Sequence, residues 1–178
     1  MTSGIVRRGA AALLCIALAG GAAAQSKGPF GGFRHDRTQP IEIAADSLEV
    51  QEAENLAIFR GSVVAGQGTM RLTADELRVT YGSGGGATGQ IRRIEAKGKV
   101  FLANGDETAA GETAEYDVAG GSIRMTGAVT LTQGGNVVKG GALTIDLNSG
   151  QGKVDGAGGR VMSVFTPAAP KEPAKAAD

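Results

Sequence analysis

A short unit of strand, glycine, one further residue and valine recurs along this chain. It restricts the fold more than any other feature. Phe59-Arg60-Gly61-Ser62-Val63 matches Ala96-Lys97-Gly98-Lys99-Val100 and Met125-Thr126-Gly127-Ala128-Val129. A second half-unit, Ala45-Asp46-Ser47-Leu48-Glu49-Val50, matches Ala74-Asp75-Glu76-Leu77-Arg78-Val79. Weaker echoes are Ala114-Glu115-Tyr116-Asp117-Val118 and Ala142-Leu143-Thr144-Ile145-Asp146-Leu147. Glycine-rich connections such as Gly66-Gln67-Gly68 and Gln133-Gly134-Gly135-Asn136 separate the half-units. A period of about 30 to 37 residues with two strands per unit means stacked hairpins. Each unit buries its apolar face only against its neighbours. From Ile41 onward, short strands alternate with Gly, Asn and Asp turns, and no window sustains a helical period. That pattern is all-β: a sandwich, barrel or solenoid.

The glycine inside these strands needs a cause, because glycine weakens an ordinary strand through entropy and lost packing. Three occurrences at one repeat position predict a required bend, so that one strand serves two facing walls. Simple tolerance at a bulge is the alternative. Ile41 and Ile43 form one alternating apolar pair, and Leu48 and Val50 form another of opposite parity. A bulge or bend near Ala44-Ala45 reconciles the two.

The segments outside this pattern read differently. Arg7 and Arg8, the apolar run from Ala11 to Gly20 and the small residues Ala22 to Ala24 make residues 1–24 a cleavable secretory signal peptide, too short for a stable span. The single Cys, Cys15, lies within it and lacks a small residue before it, so lipidation is not expected. Residues 25–40 are a flexible Gly/Pro-rich leader that holds the single His, His35. Residues 167–178 are an Ala/Pro/Lys tail expected to be disordered. The chain is expected to be exported, and the mature part has no cysteine.

Composition removes several function classes. Eighteen basic residues balance 18 acidic ones, which argues against nucleic acid as the main partner. One His and one Cys are too few for most zinc sites. No Ser/His/Asp set can form with His35 in the leader, and no Ca²⁺ loop motif is present. Gly82 to Gly86 is not followed by Lys and Ser/Thr, so it is no P-loop; it reads as a hairpin loop. Asp46/Glu49 and Asp75/Glu76 recur with the repeat, and so read as solvent-facing residues at strand starts rather than as a paired-carboxylate glycosidase site. No enzyme activity and no cofactor are expected.

The ordered series as a whole resembles a known family. Gln39-Pro40-Ile41-Glu42-Ile43 followed by Ala45-Asp46 is similar to the opening of LptA/OstA-type periplasmic lipopolysaccharide-transport proteins. So are Phe59 to Val63, Gln67-Gly68, Leu72 to Leu77, Gly111, Ala114, Tyr116-Asp117, Met125 to Gly134 and Gly159 to Pro167. The resemblance covers about residues 39–167. It implies an OstA-like twisted β-jellyroll of V-shaped strands over residues 41–166, two facing walls with an apolar groove between them. It implies a carrier or bridge that shields lipid A acyl chains between inner and outer membrane. Its partners would be an LptC-like inner-membrane component, an LptD-like outer-membrane translocon and further copies of itself joined head to tail through edge strands. The small aliphatic lining suits this, because 42% of residues are hydrophobic but only 4% aromatic.

The resemblance places Ile41 and Ile43 against lipid at the N-terminal rim, with Arg37 beside them as a weak phosphate contact. It also places Tyr116, Val118 and Phe101 in the lining. Alternation alone adds Phe59, Leu77, Val79, Met125, Leu131, Leu143, Ile145 and Leu147. A closed sandwich core shares this pattern with an open groove. A secreted structural or adhesive β-solenoid without ligand is therefore the alternative reading.

Overall fold

The structure, a computed structural model, describes residues 36, 38–82 and 90–166. The expected signal peptide, Arg37, His35, most of the Gly82–Gln90 loop and the C-terminal tail lie outside the described residues.

Ten strands follow in order: β1 (Ile41–Ala44), β2 (Ser47–Gln51), β3 (Leu56–Gln67), β4 (Met70–Tyr81), β5 (Ile91–Asn104), β6 (Glu107–Asp117), β7 (Ser122–Gln133), β8 (Asn136–Asp146), β9 (Gln151–Asp155) and β10 (Met162–Val164). One turn of 3-10 helix, Glu52–Glu54, separates β2 from β3, and no α-helix occurs among the described residues. All pairings are antiparallel, and the sheet runs β1-β3-β4-β5-β6-β7-β8-β10, with β2 also on β3 and β9 also on β8. The sheet does not close.

The split pairing at each end shows how one sheet makes two walls. β1 pairs with residues 64–67 of β3, whereas β2 pairs with residues 56–60 of the same strand. β10 pairs with residues 137–139 of β8, and β9 pairs with residues 142–146. Each long strand therefore contributes one half to a first wall, edged by β1 and β10, and the other half to a second wall, edged by β2 and β9. The parity change expected near Ala44-Ala45 is the break between β1 and β2.

The recurrent glycine marks the fold line. Gly61, Gly98 and Gly127 have φ of 81°, 77° and 83°, and the residues after them, Ser62, Lys99 and Ala128, have φ of 46°, 49° and 47°. Two successive left-handed residues form the bulge at which the ladder shifts, between Arg60 and Val63, Lys97 and Val100, and Thr126 and Val129. Only glycine takes the first of these without strain. An acidic side chain also covers each glycine: Asp46, in the break between β1 and β2, over Gly61, Asp75 of β4 over Gly98, and Glu112 of β6 over Gly127. Asp46 and Asp75 thus keep the exposed carboxylates expected of them, and add a packing role for which a Cβ would leave no room.

Side chains alternate through each half-strand. Val63, Ala65, Met70, Ala74, Val100, Leu102, Ala109, Val129 and Leu131 face inward from the first wall. Ala57, Leu77, Val79, Ile94, Ala96, Ala114, Tyr116, Ile123, Met125, Leu143 and Ile145 face them from the second. The outer face of the second wall carries a charged ladder. Arg60 reaches Glu49 at 2.8 Å and Glu76 at 3.0 Å, Arg78 reaches Glu76 at 3.9 Å, and Arg93 reaches Glu115 at 3.3 Å. Such exposed pairs add little stability, but they keep this face in water.

The β8–β9 turn yields a pH prediction. The Asp146 carboxylate accepts hydrogen bonds from the Ser149 and Asn148 amides at 3.0 and 2.8 Å. These backbone donors, Ser149 first, hold its pKa below the ordinary value. The contribution is therefore complete above the unfolded-chain pKa of about 4 and is lost as pH falls through the lower folded value. The protection of the Gln151–Asp155 amides, measured against the unfolded-chain exchange rate at each pH, should fall on acidification through that range. Asp146→Ala should show fast exchange at neutral pH as well.

Candidate functional site

The space between the walls is the concavity that the inward-facing alternation lines. Leu77, Val79, Met125, Leu131, Ile145 and Leu147 are buried in a single cluster, with Tyr116 at its margin. Ile41, Ile43, Phe59 and Val118 pack against that cluster and are half-buried. The structure thus brings these expected lining residues onto one inner surface.

Phe101 is a correction. It lies opposite Thr73 and Ala110, and 43% of its surface is exposed. Its neighbours Val100 and Leu102 face inward, so strand alternation turns Phe101 to the outer face of the first wall. Val100 stands where Val63 and Val129 stand in the other repeats, and all three are 1% exposed. Arg37, the expected phosphate contact, lies outside the described residues. Two further arginines, Arg60 and Arg71, are engaged. Arg60 is held by its two glutamates, and Arg71 donates to the Gly68 and Met70 carbonyls at 2.7 and 2.8 Å.

Between the walls is an apolar cavity of about 40 Å³, lined by Ile41, Ala65, Met70, Leu72, Leu77, Ile94, Ala96, Leu102, Ala114 and Ile123 with Gln67 and Tyr116. That space is far too small for an acyl chain. At the open side of the V, the Tyr116 hydroxyl approaches Gln67 Oε1 at 3.4 Å, which ties the second wall to the first. Gln67 Nε2 donates to the Gln39 carbonyl at 3.0 Å, and Gln39 Nε2 in turn reaches Asp36 at 3.0 Å. Outside this contact is an open cleft of about 630 Å³, bordered by Gln39, Ile41, Gln67, Ile91, Arg92 and Val118 among others. Ile41 and Gln67 border both spaces, so they form the partition between the closed interior and the open mouth.

Further side chains that contribute to this surface, Ile94, Leu102, Ile123, Met70 and Leu72, were not among the sequence candidates. The alternation would have supplied them once Val63, Val100 and Val129 were aligned.

The acidic residues have structural duties. Asp75 sits over Gly98 and pairs with Lys99 at 3.5 Å, and Asp117 accepts the Gly120 amide at 3.0 Å in a turn at the far end of the same wall.

This architecture is shared with known proteins. A family described as LptA/(LptD N-terminal domain) LPS transport protein matches residues 42–151. An uncharacterised protein of Rhizobium meliloti (strain 1021) is 37% identical over 141 residues, spanning 76% of each chain. The lipopolysaccharide export system protein LptH of Pseudomonas aeruginosa is 29% identical over 118 residues, spanning 62% of this chain and 65% of LptH. The crystal structure of LptH, described as the LptA homologous periplasmic component of the lipopolysaccharide transport device of Pseudomonas aeruginosa, superposes with a TM-score of 0.66. It does so at 22% identity, over 74% of this chain and 99% of that one, a likeness of fold. The family match over most of the two-walled sheet, with the relative from Rhizobium, places the chain in the LptA and LptD N-terminal-domain family of lipopolysaccharide transport proteins.

Proposed function

We propose that this protein is a periplasmic lipopolysaccharide carrier, exported through a cleaved signal peptide, that shields lipid A acyl chains between its two walls. The observation that carries this reading is a mainly apolar inner surface, shared by two walls, with buried Gln67, Asn104 and Glu107 at the end of the first wall, that meets an open cleft at Ile41 and Gln67. Loading separates the walls along the glycine fold line and releases the Tyr116–Gln67 contact. Acyl chains then replace wall-to-wall packing, at roughly 0.8 kcal/mol for each buried methylene before ordering costs. The interaction has no direction, so a chain can slide along the groove. No catalytic step belongs to this role.

The test is binding of purified mature protein to lipid A, followed by displacement of a fluorescent apolar probe. Saturable binding is expected. A folded protein that takes up neither the probe nor the lipid would return the function to a structural β-solenoid with a closed core.

The unclosed edges support a head-to-tail assembly, with β1 and β2 of one copy meeting β10 and β9 of the next, and with LptC-like and LptD-like partners at the two ends. Free strand edges offer unpaired backbone groups for such addition. Leu48 and Val50 lie opposite Phe59 and Ala57 on the inner face, yet are 55% and 45% exposed because no strand follows β2. Val161, Met162, Val164 and Phe165 are exposed at the other end. Leu48→Glu should weaken self-association by roughly tenfold in sedimentation experiments, since a buried unpaired carboxylate costs over ~1.4 kcal/mol. Phe101→Glu, a change at an equally exposed residue away from the edges, should leave self-association unaltered.

A further inference from the structure

We propose that Arg92 receives the anionic headgroup of an acylated amphiphile at the mouth of the groove. This rests on the carrier reading above. Four observations converge on this residue. First, β4 and β5 are out of step here: Thr80 pairs with Arg93 and Tyr81 with Ile91, which leaves Arg92 as the extra residue of a bulge. Bulges re-aim side chains. Arg92 stands two residues before Ile94, which faces the core, whereas Arg93 joins the charged ladder outside. Second, its side chain runs beside Gly82 and borders the open cleft with Ile41, Ile91 and Val118, three apolar residues that pack on the core.

Third, among the strand arginines of the described residues its guanidinium is the one that no hydrogen bond or ion pair engages. Arg60, Arg78 and Arg93 pair with glutamates, Arg71 donates to two carbonyls, and Arg124 reaches the Thr144 hydroxyl at 3.3 Å. Glu95 and Asp117 border a second cleft beside Arg92, but neither comes within ion-pair distance of it: Glu95 faces Arg93 at 4.0 Å, and Asp117 accepts the Gly120 amide. Residues 83–89 of the adjoining loop include no Asp, Glu, Lys or Arg. Fourth, the other polar side chains that border the cleft, Gln39, Gln67 and Gln90, carry no charge, and the Asp36 carboxylate beside them accepts the Gln39 amide.

An uncompensated guanidinium beside an apolar wall fits one chemistry. Phosphate or carboxylate takes its planar fork in two parallel hydrogen bonds, while the attached acyl chains descend past Ile41 toward the interior. The charge thus fixes which end of the lipid stays at the mouth. The walls alone cannot do this, because apolar burial is non-directional.

The test measures binding of three probes by the mature protein: lipid A with its phosphates, the same lipid dephosphorylated, and inorganic phosphate. Arg92→Gln should weaken binding of the phosphorylated lipid by roughly tenfold and flatten its salt dependence, because charge-assisted hydrogen bonds contribute about that much. Binding of the dephosphorylated lipid should be unchanged. Arg92→Lys should restore part of the difference, and Arg93→Gln should cost nothing. Inorganic phosphate alone should not bind measurably. Equal weakening for both lipids would make Arg92 a structural residue and overturn the proposal. Undiminished binding of the phosphorylated lipid by Arg92→Gln would overturn it while leaving the carrier reading intact. Tight, Arg92-dependent binding of inorganic phosphate would replace it with a free-phosphate site. Failure of the wild-type protein to bind either lipid would remove the carrier reading and this site with it.

Discussion

Gly98→Ala is expected to lower the unfolding free energy by about 3 kcal/mol, among the largest effects of any single methyl in this chain. Two causes add. Gly98 has φ of 77°, where an L side chain costs roughly 1–2 kcal/mol. A Cβ there would also lie 2.5 Å from Asp75 Oδ2 and 3.0 Å from Asp75 Cβ, so the Asp75 side chain must move. Gly98 sits at the bulge of β5, whose residues Lys97 and Phe101 are paired with both neighbouring strands, so the backbone has little freedom to adjust. Urea unfolding measures the sum, and a double-mutant cycle separates its parts. Asp75→Ala removes the carboxylate but keeps the Cβ at 3.0 Å, so it should recover part of the crowding share in the Gly98→Ala background and leave the dihedral share. A loss of under about 0.5 kcal/mol would show that the glycine is merely tolerated, and the fold-line account would fail with it.

Ile43→Asp is expected to weaken binding of lipid A by roughly thirtyfold, since an unpaired carboxylate beside acyl chains costs about 2 kcal/mol or more. Ile43 is suited to this test because it is half-buried on a short edge strand and packs on the core from its rim. The substitution should leave the thermal midpoint within a few degrees of wild type. Val118→Asp, at the mouth, should behave alike. Leu77→Asp cannot serve, because Leu77 is fully buried and its replacement would unfold the protein. Phe101→Asp provides the control on the outer face. Folded Ile43→Asp and Val118→Asp proteins that still bind with wild-type affinity would show that the inner surface is a core and not a binding wall.

Much of this was legible in the sequence, because the decisive feature repeats. Three Gly-X-Val units set the position of the bend, and alternation on either side of it set the inward face for Leu77, Val79, Met125, Leu131 and Ile145. The parity change between Ile43 and Leu48 likewise anticipated the break between β1 and β2. Phe101 went astray because a resemblance to a lining aromatic outweighed the repeat. Val100 occupies the inward valine position, and its successor must turn outward. The Arg92 bulge was hidden for a different reason. It depends on how β4 and β5 fall out of step at the end of a loop, and no local pattern in Ile91-Arg92-Arg93 reveals it. The acid-over-glycine contacts join residues about 15 to 23 positions apart, so they become visible only when neighbouring strands are placed side by side. The closed state of the interior also lies beyond sequence pattern, since a core and a groove alternate alike.

The most direct measurement is photo-crosslinking in living cells from a reactive residue placed in turn at Ile43, Val118 and Phe101, with Asp155 as a second outward position. The account predicts lipopolysaccharide adducts from Ile43 and Val118 and none from Phe101 or Asp155. Adducts from Phe101 in place of Ile43 and Val118, or no lipid adduct from a protein that is exported and folded, would contradict it.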